Sequence, residues 1–163
     1  MTVSEYNKCV DLHSSAVFRF ALKQLRNTDD AKEIVQITFE KLWMKRETVN
    51  IDTAKSYLFT TAYHSMVDNW RTQKPTEDID QLSYSKHPST EATAYTGLME
   101  SLEKALTQIS KIQRTVILLR DYEGYSYAEI GEITGLNESQ VKVNIFRGRQ
   151  ALKDIIGNPH NLI

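Results

Sequence analysis

Apolar residues recur at steps of three and four along most of this chain. The clearest run is Ala31, Ile34, Val35, Thr38, Phe39, Leu42 and Trp43, one stripe over three turns that predicts an amphipathic helix. Ser4 to Asn27 predicts a helix before it, with Val10, Val17, Ala21 and Leu25 at helical spacing, joined by Phe18 and Leu22. Thr28-Asp29 separates the two, and Asp30 with Glu33 reads as the N-terminal cap of the second. A polar stretch, Lys45 to Asp52, leads into a third helix from about Thr53 to Arg71. Ala54, Tyr57, Leu58, Thr61, Ala62 and Ser65 lie along one side of it.

Lys74-Pro75 stops that helix, because proline disfavours helical geometry in the residue before it. Residues 74–96 are rich in Ser, Thr, Pro, Asp and Glu and read as a flexible linker, with Ile79, Leu82 and Tyr84 as its few apolar groups. Helical periodicity then resumes, with Leu98, Leu102, Ala105, Leu106 and Ile109 on one face. Three capping boxes follow: Ser110 with Gln113, Ser126 with Glu129, and Asn137 with Gln140. They predict helices near 111–122, 127–134 and 138–156. With only six glycines and three prolines in 163 residues, the expected fold class is all-α: two small helical domains, 1–73 and 97–163, joined by the linker 74–96.

Gly135-Leu136-Asn137 puts a glycine turn between two short helices, and the second of these is basic. That is the pattern of a helix-turn-helix, whose second helix lies in the major groove of DNA. Val141, Ile145 and Leu152 would face inward against Ile130 and Ile133. Ser139, Gln140, Lys142, Val143, Phe146 and Arg147 would face outward, offering hydrogen-bonding, cationic and thymine-methyl-contacting groups. Arg149 and Lys153 lie further along, placed for phosphates.

Charge qualifies this reading. The net charge is −1, which argues against strong autonomous DNA binding, since phosphate neutralisation needs a cationic surface. Yet from Ser139 to Lys153 every charged residue is positive, whereas Thr76 to Asp80 is acidic. A basic stripe on a near-neutral chain suits a protein that binds DNA with help. The single cysteine, Cys9, cannot form an internal disulfide, which fits a reducing cytoplasm. No signal-peptide core and no run of about 18 apolar residues occurs, so direct membrane insertion is not expected. His64 with Asp68, and Cys9 with His13, stand at i,i+4, but two ligands fall short of a zinc site. Neither a phosphate-binding glycine loop nor a nucleophile motif is present, so no enzyme, metal or cofactor is expected.

The stretch from Tyr122 to Lys142, built around Tyr125-Ser126-Tyr127-Ala128-Glu129-Ile130-Gly131 and followed by Arg147-Gly148-Arg149, resembles the fourth region of extracytoplasmic-function RNA polymerase sigma factors. Asp30 to Trp43 is similar to their second-region core-binding helix, and Tyr57 to Arg71 to the promoter-melting helix that follows. The resemblance spans both halves in the family's order. The linker is too short for a third domain, which usually needs about 50 residues or more.

This resemblance implies a sigma factor whose partners are core RNA polymerase, promoter DNA and an anti-sigma factor. It implies that Asp30, Glu33, Gln36, Ile37 and Glu40 meet core polymerase, Ile37 because it lies off the apolar stripe. Tyr63, His64, Asn69, Trp70 and Arg71, with Lys74 and the loop Lys45 to Asp52, would hold the opened −10 element as single strand, which calls for aromatic platforms and cations. Trp70 serves equally well as a core aromatic. Ser139, Gln140, Lys142, Val143, Phe146, Arg147 and Arg149 would meet the −35 duplex. His64, Gly131, Ile109-Ser110 and Asn144 stand where the family more often has asparagine, alanine, Leu-Pro and arginine. Two other readings fit parts of the pattern: a stand-alone dimeric helix-turn-helix regulator, and an interaction module that never touches DNA.

Overall fold

A computed structural model describes residues 1–72 and 94–157; Lys74, most of the expected linker and the last six residues lie outside them. Among the described residues all regular structure is helical, as the periodicity predicts. None of these helices is long and apolar enough to cross a membrane.

The N-terminal unit is built from α1 (Val3–Leu25), α2 (Thr28–Met44) and α3 (Ala54–Thr72), each packed on the other two. α1 opens with a capping box that the periodicity alone does not reveal. Thr2 Oγ1 accepts from the Glu5 N–H at 3.1 Å, and the Glu5 carboxylate accepts from the Thr2 N–H at 2.8 Å. α1 ends on Arg26 in the left-handed region at φ 56°. The expected cap at Asp30 gives way to Asn27. Its extended backbone brings Oδ1 within 3.0 Å of the Asp30 N–H, so Thr28 and Asp29 form the first helical turn rather than a break. Asp29 and Asp30 then sit where the helix dipole favours negative charge.

The core of this unit is Cys9, Val17, Phe20, Ala21, Ala31, Ile34, Phe39, Leu42, Ala54, Leu58, Phe59, Ala62 and Met66. α1 is turned from the expected face: Val10, Phe18, Leu22 and Leu25 are only half-buried, while Cys9, Phe20 and Gln24 are buried. The reason is that α1 packs on two helices at once, so its buried arc straddles both grooves. Phe20 and Phe59 meet at the centre, ring centroids 5.3 Å apart. Trp43, counted in the α2 stripe, lies at the rim and is exposed.

The C-terminal unit comprises α4 (Ala94–Leu106), α5 (Lys111–Ile117), α6 (Tyr127–Thr134) and α7 (Glu138–Gly157). α4 opens three residues before the expected boundary at 97. Its Leu98 is exposed, while Ala105, Leu106 and, beyond the helix end, Ile109 are buried. α5 continues through Leu118–Tyr122 as a widened π turn, closed by Glu123 N–H on the Leu118 carbonyl at 3.1 Å. Leu118 and Leu119 stay in the core through this turn, with Val116, Ile117, Ile130, Val141 and Ile145 also buried.

Gly148 of α7 lies against α5. A β-carbon there would stand 2.5 Å from Ile117 Cδ1 and 3.3 Å from Gln113 Cβ, so the two helices approach as closely as they do because no side chain intervenes. Gly148→Val should therefore destabilise the C-terminal unit by about 1–3 kcal/mol through overpacking. Chemical denaturation followed by circular dichroism checks this, and a transition unchanged from wild type would show the contact to be slack.

Candidate nucleic-acid interface

α6, a three-residue turn and α7 form the helix-turn-helix. Ser126 caps α6 in a reciprocal box with Glu129, at 3.1 and 2.9 Å. Gly135 ends α6 at φ 82°, a conformation that costs glycine little, with its N–H on the Gly131 carbonyl at 2.8 Å. Asn137 and Gln140 then start α7 with a second reciprocal box, at 2.8 and 3.0 Å. Gly131 packs under this turn: a β-carbon would come within 2.8 Å of the Leu136 carbonyl oxygen.

α7 turns Val141, Ile145, Gly148 and Leu152 inward. Ser139, Gln140, Lys142, Val143, Phe146 and Arg147 are all exposed on the opposite side. Phe146 is 71% exposed and Val143 43%, values that set them apart from the buried apolar residues of the same helix. Asn144, half-buried, donates Nδ2 to the Gln140 carbonyl at 2.8 Å, so its side chain is folded back along the helix.

The cations of this face differ in freedom. Arg149 makes a two-point contact with Asp121, Nε to Oδ2 at 3.1 Å and Nη2 to Oδ1 at 2.5 Å. Hydrogen bonding to Asp121 raises its already high pKa. Lys142 pairs loosely with Glu138 at 3.9 Å. Arg147 and Lys153 have no ion-pair partner among the described residues, so their charge is the more available one.

In the N-terminal unit, α2 exposes Glu33, Gln36 and Glu40, with Gln36 Nε2 donating to Glu40 at 3.2 Å. Asp30 and Ile37 are half-buried on the same helix, so Ile37 already has protein on one side. On α3, Tyr63 and Trp70 stand seven residues apart, two turns along one side, and both are half-buried. Burial raises the Tyr63 phenol pKa. His64 and Arg71 form a second, exposed row at the same spacing, with the Tyr63 and His64 rings 6.0 Å apart; Asn69 is half-buried on another side of the helix. Aromatic rings and the Arg71 guanidinium thus share the last three turns of α3.

A further group stands beyond these expectations. Trp43 packs edge-on against Tyr6 with centroids 4.9 Å apart, carries the Arg46 guanidinium 3.9 Å above its ring, and is followed by Met44, 78% exposed. Counting Trp43 into the α2 stripe concealed it, although an apolar pair at the last positions of a helix before a polar loop is a signal of an uncovered end.

Comparison with known proteins places both halves. Residues 9–76 match the family described as Sigma-70 region 2, and residues 99–152 match Sigma-70, region 4. The chain is similar to RNA polymerase sigma factor SigV of Bacillus subtilis, 31% identical over 151 residues that cover 89% of this chain and 87% of that one. It is similar also to ECF RNA polymerase sigma factor SigL of Mycobacterium tuberculosis, 30% identical over 149 residues, covering 88% and 84%. This chain belongs to the extracytoplasmic-function family of RNA polymerase sigma factors. The fold of the sigma factor is shared with RpoE of Bartonella quintana, solved with the anti-sigma factor NepR, at a TM-score of 0.78 and 24% identity over 95% of this chain and 98% of that one. It is shared also with CnrH, solved with the cytosolic domain of CnrY, at a TM-score of 0.68 and 20% identity over 93% and 87%.

Within the sigma factor's region 4, Arg147 and Arg149 should part company when removed. Arg149→Ala breaks a two-point ion pair and is expected to cost up to about 1 kcal/mol of stability, the range of a half-exposed pair. Arg147→Ala should stay within about 0.5 kcal/mol of wild type. Urea denaturation of the two variants side by side makes the comparison, and equal losses would remove the distinction.

Proposed function

We propose that this sigma factor divides promoter recognition between its two halves. Residues 1–73 bind core RNA polymerase and hold the melted −10 element, residues 97–163 read the −35 element as duplex, and residues 74–96 connect them. Asp30, Glu33, Gln36, Ile37 and Glu40 form the polymerase contact. Tyr63, His64, Asn69, Trp70 and Arg71 receive the single strand, stacking unpaired bases on rings beside cations. Ser139, Gln140, Lys142, Val143, Phe146 and Arg147 face the −35 duplex, with Arg149 toward phosphate.

The observation that carries this reading is the pair of sigma regions matched in order on one chain, 9–76 and 99–152. A stand-alone helix-turn-helix regulator accounts for the second region and leaves the first without a purpose. The proposed activity is non-enzymatic and cytoplasmic. RpoE and CnrH were each solved with a bound partner, an anti-sigma factor in the case of RpoE. An anti-sigma factor is accordingly the proposed regulator here.

Run-off transcription with purified core polymerase tests the whole reading: the chain should direct initiation from promoters carrying its −10 and −35 elements, and core polymerase alone should not. Glu33→Ala combined with Gln36→Ala should weaken competition for core polymerase while the N-terminal unit unfolds within about 1 kcal/mol of wild type, since both side chains are exposed. Unchanged competition would remove this face from the interface.

Arg147→Ala should impair use of the −35 element and leave core binding intact. A bidentate contact to guanine would cost about 1–3 kcal/mol of discrimination at one base position. A phosphate contact would instead weaken binding evenly across sequences, with a shallower salt dependence. Transcription from promoters mutated singly through the −35 element separates the two, and a mutant equal to wild type in both strength and −35 dependence would show the recognition helix to be turned otherwise.

A further inference from the structure

Tyr127 opens α6 and is half-buried, and cations from two other stretches gather on its ring. The Arg120 guanidinium, at the π turn, stands 4.6 Å from the ring centroid while its Nη1 donates to the Tyr125 carbonyl at 2.9 Å. The Lys142 ammonium, on the outer side of α7, stands 5.6 Å from the same centroid. Both distances lie within the roughly 6 Å over which an aromatic face attracts a cation. The Arg149 guanidinium is instead taken up by Asp121.

Lys142 needs such a hold more than Arg120 does. Arg120 is fixed by a backbone carbonyl, whereas Lys142 is a point charge on a flexible four-carbon stem whose pairing with Glu138, at 3.9 Å and with both side chains more than half exposed, restrains it little. The ring therefore gives two cations, from elements separate in sequence, one common surface beside the base-facing side of α7. Point charges beside a recognition helix suit phosphates rather than base edges, because they carry no directional code.

We propose that Tyr127 is a positioning residue of the −35 interface: its ring holds Arg120 and Lys142 on one surface, where the two cations take phosphates of the DNA backbone. The inference rests on the reading that α7 meets the −35 duplex. It adds two residues, Tyr127 and Arg120, to that interface and gives them a task separate from base reading.

The test uses holoenzyme and a duplex promoter, with the binding constant measured across a salt series. Lys142→Gln should make the logarithmic salt slope less negative by about 0.9, the loss of one phosphate contact, and Arg120→Gln by the same amount. Tyr127→Leu should flatten it by roughly one to two contacts' worth, evenly for all −35 sequences, and Tyr127→Phe, which keeps the ring, should restore it. Lys142→Gln placed on Tyr127→Leu should add nothing, because the two act through one contact. A wild-type slope in Tyr127→Leu, or a full Lys142→Gln effect in both backgrounds, would overturn the proposal; additive losses are what a merely structural tyrosine gives. Arg120→Gln leaves the ring in place and reads the second cation independently of any folding defect in Tyr127→Leu. Arg147→Ala, run in parallel, separates the two levels of inference. If it impairs use of the −35 element while Tyr127→Leu keeps the wild-type slope, only the role of Tyr127 falls. If it leaves both binding strength and −35 dependence at wild type, the orientation of α7 is wrong and the Tyr127 proposal goes with it.

Discussion

The close approach of α7 to α5 at Gly148 governs the C-terminal unit. α7 must bury Val141, Ile145 and Leu152 and still present a continuous outer face, and both demands are met on one helix only if its inner face lies deep enough on the core. A helix with a side chain at 148 would ride outward on Ile117, and every outward group from Ser139 to Arg149 would move with it. Rigid placement matters because base edges are read through hydrogen bonds whose strength falls off steeply with misalignment. The two reciprocal caps that begin α6 and α7 complete this placement by fixing where each helix starts.

The N-terminal unit solves a different problem. Its three helices enclose a centre of Phe20 and Phe59, and each leaves an outer face free for other work. Glu33, Gln36 and Glu40 of α2 face water, whereas Tyr63, His64, Trp70 and Arg71 lie along the later turns of α3. A compact bundle of this kind keeps two chemically unlike surfaces apart without spending chain length on a separate scaffold.

Much of this was legible in the chain itself, for identifiable reasons. Capping boxes are local, so Ser110, Ser126 and Asn137 mark their helix starts without reference to anything distant. The glycine turn at 135 is equally local. Features that depend on a second element were hidden. The rotation of α1, the meeting of Phe20 with Phe59, the crowding at Gly148 and the Asp121–Arg149 pair all join residues far apart in sequence. Asn27 was missed for a subtler reason: Asp30 has capping chemistry too, and only backbone geometry decides which of two nearby candidates is used. For the proposed sites, helical spacing named the outward groups of α7 and the family resemblance named those of α2 and α3, but the Arg46 stack on Trp43 and the cations around Tyr127 lay beyond both.

Gln140 has two duties at once. Its side-chain oxygen accepts the Asn137 N–H and so belongs to the start of α7, while its position also places it on the face proposed to meet DNA. Any exchange at this residue alters the anchoring of the helix together with the chemistry offered to a base. Arg147, Val143 and Phe146 carry no such double obligation, being exposed and outside the cap. On the proposed reading of this face, drift in promoter preference has an easy path through 143, 146 and 147 and a costly one through 140. Related chains that diverge in the sequences they serve should vary along that gradient.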